Sequence, residues 1–322
     1  MHVRRFVWMN ALGLTFALLG PIASSPAAEI DKYLPDDTQI VLHANTRQIL
    51  ESDLGKKYLM PQLEASIQGN PEAQQMLSAM GWDSFKDVSS FTMAASGASE
   101  HNWMILIHSH YDLARMQTAV AAFAEKQPDA VTIHKQGDAS FYEMRKPKQS
   151  SHVFFGAFVD EETMVVSPDK EYVLETIARK KSKKLPAVDN KLVELVKKVD
   201  AKQSLWLALL PDRLIKALPQ DKQTMDVAKK VQSFKAGVAL ADGVQLSVRI
   251  QTPDAKSAQT VRQTLKGVQS LLILLIASND QLKDFGPTLT DILNSIKFTL
   301  DQATVGFDVS VSAKQIEEGL NK

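Results

Sequence analysis

The chain of 322 residues contains no cysteine. That absence removes a disulfide framework, a thiolate metal site and a thiol nucleophile, and it leaves no acceptor for the acyl chains of a lipoprotein. An excess of either charge is also missing: 37 Lys and Arg side chains face 37 Asp and Glu. Phosphate backbones are gripped by a concentrated basic face, so no nucleic acid is expected as a partner. The chain has no Gly-x-Ser-x-Gly, no His-Glu-x-x-His, no phosphate loop and no dinucleotide fingerprint. Glycosidase-like carboxylate pairs stay open, because such pairs need not be close in sequence.

Long apolar runs are scarce, and the first of them is informative. Arg4 and Arg5 form a positive start, Phe6 to Leu19 is apolar, and GPIASSPAA follows with a helix breaker and small residues. This order reads as a signal peptide over residues 1–28, too short to span a bilayer comfortably, with cleavage expected between positions 25 and 28, after Ala27 or Ala28. An uncleaved anchor is the weaker alternative. The twin Arg runs directly into Phe6, unlike the twin-arginine export pattern, so export as an unfolded chain is expected. The mature protein is therefore placed in the periplasm or outside the cell, with no transmembrane segment of its own. Loss of Arg4 and Arg5 leaves 35 basic against 37 acidic side chains. A chain of this length buries about three quarters of its extended surface and needs no covalent staple.

Two stretches of the mature chain read alike. Gln39 to Ala44 is a strand pattern, followed by Asn45-Thr46 and a helical pattern; Ser204 to Leu210 is another, followed by Pro211-Asp212 and a helical pattern. Each then reaches a hairpin pattern, led by Phe91 or Phe234, with turns at Gly97 and at Asp242-Gly243. Helices over Leu113 to Lys126 and Ala255 to Ser278 come next, with Asp112 and Asp254 placed to cap them. Further strands and a final helix close each copy. The first half is expected to have one strand more, since SFYEM and HVFFGAFV both precede TMVVS. The fold class expected is α+β: an internal duplication of two similar halves, each a mainly antiparallel sheet with helices packed on one face. The halves run over 29–185 and 186–322. Between them ARKKSKKLP reads as the solvated end of a helix, its cations complementing the negative helix terminus and Pro186 stopping it. A helix from Asp189 to Val199 opens the second half.

LPDDTQIVLHANTRQIL and, much later, KQSLWLALLPDRLIKAL resemble a family of uncharacterised exported bacterial proteins that open with Leu-Pro-x-Asp-Thr, a strand and an Asn. The resemblance covers most of the mature chain. It implies a two-part exported architecture built on structural motifs and carries no catalytic residues.

The most site-like stretch is MILIHSHYDLARM. His108 and His110, two apart on a strand, share a face and present two imidazoles to one metal. Zinc wants at least three ligands, and His43, on a distant strand, is the plausible third. Aligning Asp112 with Asp254 puts His108 opposite Ile250 and His110 opposite Thr252, which favours a plain strand end; no metal, cofactor or catalytic residue is assigned. Ser167-Pro168-Asp169-Lys170 matches Ser-x-x-Lys, but it lacks its companion elements and reads better as a helix cap. Asp160-Glu161-Glu162 reads as a hairpin turn. LLILLIA, with Leu271, Leu272, Leu274 and Leu275, is apolar all round, and two readings compete: a helix end buried between the halves, or a contact for an apolar ligand or partner.

The function expected first is a non-enzymatic binding or structural role in the cell envelope, with an unknown envelope partner. A carrier of an apolar ligand or lipid in the groove between halves comes second. A metal-dependent hydrolase using His108 and His110 comes third.

Overall fold

The structure, a computed structural model, describes residues 27–96, 99, 101–145, 153–211, 215, 222–278 and 286–320. The expected signal peptide lies almost wholly outside the described residues, as do the Gly97 turn and most of the helical pattern after Asp212.

The first half contributes β1 (Ile40–Ala44), α1 (Thr46–Glu51), a π-helical turn (Gly55–Leu59), α2 (Met60–Gln68), α3 (Pro71–Met80), β2 (Val88–Ala95), β3 (Trp103–Ser109) and α4 (Leu113–Lys126). It continues with β4 (Val131–Gln136), β5 (Ala139–Arg145), β6 (Val153–Phe158), β7 (Thr163–Ser167) and α5 (Lys170–Ser182). Then follow α6 (Asn190–Val196), β8 (Leu205–Leu209), α7 (Lys222–Ala228), β9 (Ser233–Leu240), β10 (Gly243–Gln251), α8 (Ala255–Ser278), α9 (Gly286–Ser295), β11 (Thr299–Asp301), β12 (Thr304–Ser312) and α10 (Ala313–Leu320).

The strands form one sheet of twelve, ordered β11-β12-β10-β9-β8-β1-β2-β3-β7-β6-β5-β4. Each pairing is antiparallel. The two expected sheets are thus one, joined where β1 meets β8 with Val41 opposite Ala208 and His43 opposite Trp206. Among the described residues seven strands lie on the β1 side and five on the β8 side, a difference of two strands where one was expected. The missed strand is VTIHKQ, β4, which sits at the sheet edge with a mostly polar, exposed sequence. An edge strand needs little apolar patterning, because one flank and much of its surface meet water.

Helices cover both faces of the sheet, which corrects the expectation of one. On the first face α3 and α4 pack Met80, Met116 and Val120 against Tyr142, Phe158 and Met164, while α8 packs Ala258 and Val261 against Val248, Ile250 and Val305. On the opposite face α5 and α6 bring Val173, Ile177, Leu192 and Val196 against Val41, Met104, Leu106, Val165 and Trp206. The reason is visible in β3 and β7. Met104-Ile105-Leu106-Ile107 and Met164-Val165-Val166 are apolar at consecutive positions, so both faces must be shielded from water. β10 alternates instead, and its Ser247 and Arg249 stay on a wetter surface where Arg249 pairs with Asp308 at 2.9 Å. The core beneath α5 and α6 also holds Trp206, Ala208 and Leu210 from beyond residue 186, so the two halves share a core.

Local signals fix the helix starts. Asp112 accepts from Arg115 N at 3.1 Å, Asp189 from Lys191 N at 2.7 Å and Asp254 from Ser257 N at 2.7 Å, each satisfying an otherwise orphaned amide. The Leu-Pro-Asp-Asp-Thr stretch is a clamp. Leu34 is wholly buried, Thr38 Oγ1 donates to Pro35 O at 2.7 Å, and Asp37 accepts from the Tyr172 hydroxyl at 3.0 Å. Asp36 accepts from Arg179 at 3.0 Å and from Ala187 N at 2.7 Å. Arg179 is only 9% exposed, so the basic run is solvated from Lys180 onward but not at its first cation.

Candidate functional site

Two cavities and one exposed helix end are the candidates. The first cavity lies where the halves meet. His43 on β1 stands in register with Thr92 on β2 and Trp206 on β8, so the three side chains form a row on one face. His43 Nδ1 lies 2.9 Å from Thr92 Oγ1, and its ring stacks on Trp206 with centroids 5.3 Å apart. His108, on the same face of β3, has Nε2 2.7 Å from Asp31 Oδ2. The segment at residues 27–32 covers this row, held by Ala28 N donating to Val199 O at 3.1 Å and by the bridge between Ala27 and Asp200. A cavity of about 440 Å³ remains. Burial lowers the pKa of the His43 imidazole, and the nearby His108 lowers it further against the opposing pull of Asp31. The Thr92 hydroxyl is engaged by His43 and the Thr163 hydroxyl by Asp160. The cavity is thus edged by hydrogen-bonding groups that engage one another.

The structure separates the expected histidine pair. His108 points into the cavity, whereas His110 lies beyond the end of β3 and is exposed. The imidazole that shares a face with His108 is His43. Among the described residues no group of three His, Cys, Asp or Glu side chains is placed to hold a metal ion. The comparison of His108 with Ile250 also needs correction. Ile250 faces α8 in the core on the first face, while His108 faces the opposite side, so counting back from Asp112 and Asp254 slips the strands by one residue. Such a slip exchanges the faces and removes the force of that comparison.

Ser167 is fully buried; its hydroxyl donates to Trp103 O at 2.7 Å and accepts from Asp169 N at 2.9 Å. Lys170 Nζ lies over the Phe141 ring, 5.4 Å from its centroid, which is no Ser-Lys pair. Asp169, not Ser167, caps α5. Asp160-Glu161-Glu162 does form the β6–β7 turn, and Asp160 accepts from the Tyr33 hydroxyl at 2.7 Å.

The second cavity lies between the first face of the sheet and helices α3 and α4. It has a volume of about 320 Å³, and apolar surface alone lines it. Five methionines contribute, Met76, Met80, Met116, Met144 and Met164, with Trp82, Tyr111, Tyr142 and Phe158 among its aromatic walls. Two of the polar tips there are engaged: Trp82 Nε1 donates to Ser109 Oγ at 2.8 Å, and the Tyr111 hydroxyl to Ile107 O at 3.3 Å. Sequence reading missed this site. Met76 and Met80 at helical spacing, like Met116 and Val120, look like any core stripe, and the space between them is a property of volume.

Leu271, Leu272, Leu274 and Leu275 are 54%, 42%, 65% and 52% exposed, and Val268 is 47% exposed. The expected burial between the halves does not occur. The neighbours of α8 include α7, α9, β11 and β12, all from beyond residue 186. Among the described residues no helix is long and apolar enough to cross a membrane.

No protein-family model and no curated protein matches the chain. Among solved structures, that of TP0453 in crystal form I is similar with a TM-score of 0.42 and 9% identity, over 88% of this chain and 92% of that one. That likeness is too distant to bear on function.

Proposed function

We propose that the protein is an exported, non-enzymatic binding protein whose ligand is apolar and lodges between the sheet and helices α3 and α4. The observation that carries this reading is the cavity of about 320 Å³ with an all-apolar lining. Ligand pockets begin at about 300 Å³ and are mostly apolar, and flexible methionine walls adapt to a guest. The cavity belongs to the first half, so the carrier reading keeps its ligand class and changes its place. The test is titration of the protein with 1-aminoanthracene, an uncharged apolar fluorophore. One saturable site with blue-shifted emission, emptied by dodecanol, is the expected result. Linear, unsaturable uptake would sink the reading.

The exposed leucines favour a second reading, an envelope partner that covers Leu271, Leu272, Leu274 and Leu275, because four neighbouring leucines left this open are rare without a use. A hydrolase that holds one metal with both His108 and His110 gains no support from their separation.

We infer as well that the two halves, 29–185 and 186–322, are copies of one unit. Support comes from the strand order, which runs outward from β1 and from β8 as strand, hairpin and returning hairpin, with β4 and β5 added at the first edge. Export accords with the signal-peptide pattern and with an opening motif like that of the exported family. N-terminal sequencing of the mature protein should begin between Pro26 and Glu29; recovery of Met1 would refute export by cleavage.

A further inference from the structure

We infer that the ligand is a single-chain carboxylic acid of about a dozen carbons, with its tail in the methionine-lined cavity and its carboxylate at Lys126; this rests on the binding reading above. The first argument is volume. About 320 Å³ is roughly twice the ~150 Å³ that houses a benzene ring, which leaves room for about twelve carbons and none for a second chain. The second argument is shape. Five of the walls are methionines, whose unbranched thioethers rearrange around a flexible chain more readily than branched side chains do.

The third argument is the adjoining groove. Met76 lines the cavity and also a surface groove of about 210 Å³ between α3 and α4, where Gln75, Ala79, Ala119, Phe123 and Lys126 are its neighbours. Lys126 is the sole charged residue of that groove. It is exposed and, among the described residues, makes no ion pair. One unmatched cation at the edge of an otherwise uncharged groove complements one negative charge, and a fatty acid carries its single charge at the end of the chain. Lys126 lies in the last turn of α4, where the negative end of the helix favours a cation.

Displacement of bound 1-aminoanthracene from the full mature protein, by saturated fatty acids and by the alcohols of the same lengths, tests the inference. Affinity should rise about fourfold per added methylene up to about twelve carbons and then level off. Dodecanoic acid should bind about two- to fivefold more tightly than dodecanol, as an exposed ion pair allows. Lys126→Ala should abolish that preference, and Lys126→Glu should reverse it. Equal binding of acid and alcohol, or a preference that survives Lys126→Ala, would overturn the assignment of the head group. A steady rise past sixteen carbons would overturn the assignment of the tail. Either failure leaves the apolar cavity standing, whereas absence of a saturable probe site removes the cavity reading itself.

Discussion

Val120→Phe puts the apolar cavity to a test of sign. Val120 lies on α4, is 5% exposed and lines the cavity. Phe adds about four carbons to its side chain, which at ~0.8 kcal/mol per buried carbon amounts to about 3 kcal/mol of transfer free energy. Fixing the larger side chain takes back about 1 kcal/mol. A net stabilisation of about 1–2 kcal/mol follows, or several degrees in Tm for a chain of this size. In a filled core the same substitution would overpack and destabilise by about 1–3 kcal/mol. The ligand shows the converse, because the ring takes space that about four ligand carbons would occupy. Dodecanol affinity should fall about two hundredfold, on the basis of ~0.8 kcal/mol per methylene and ~1.4 kcal/mol per decade. Urea unfolding followed by tryptophan fluorescence gives the first number, and probe displacement gives the second. A destabilised variant with unchanged binding would refute the reasoning, since both effects come from one volume.

His43 should make stability depend on pH. Its folded-state pKa is lowered by burial and by His108, so below the unfolded value of about 6.5 the unfolded chain takes up a proton that the folded chain refuses. Stability should fall as pH drops from that value through the folded pKa and then level off, and His43→Gln should flatten this slope; equal slopes in urea melts at pH 7 and pH 5 would exclude it. His108→Ala should lose about 1–2 kcal/mol with its Asp31 partner, and His110→Ala, at an exposed position, should stay within about 0.5 kcal/mol. Elemental analysis should give the same metal content for both variants and the parent; loss of stoichiometric zinc would revive the hydrolase. Arg179→Met should destabilise by about 1–3 kcal/mol, since Asp36 keeps only the Ala187 amide. Burial alone would raise the Asp36 pKa, but the Ala187 N–H and the Arg179 guanidinium outweigh it and hold the carboxyl low. Acid titration should therefore find Asp36 less acidic in the variant.

Pieces held together by near neighbours were legible in the chain alone. Helices α4 and α8 have the bounds that their periodicity and their Asp caps announce, because a cap bonds amides two or three residues away. The β9–β10 hairpin and the Asp160 turn are equally local. The clamp at Leu34 to Thr38 was recognisable as a motif, although its partners Tyr172 and Arg179 lie far along the chain.

Tertiary structure decided what depends on faces and volumes. Which side of β3 bears His108 follows from the whole strand register, and a one-residue difference near the helix start reverses it. Two expected sheets became one because β1 and β8 bond edge to edge, a pairing of segments far apart in the chain that no local pattern records. LLILLIA could be read as buried or exposed, since apolarity states a preference for burial and not the presence of a neighbour. Likewise five methionines at core spacing say that water is excluded from their side of the sheet; only the distance between helices and sheet decides whether they meet or leave about 320 Å³ for a guest.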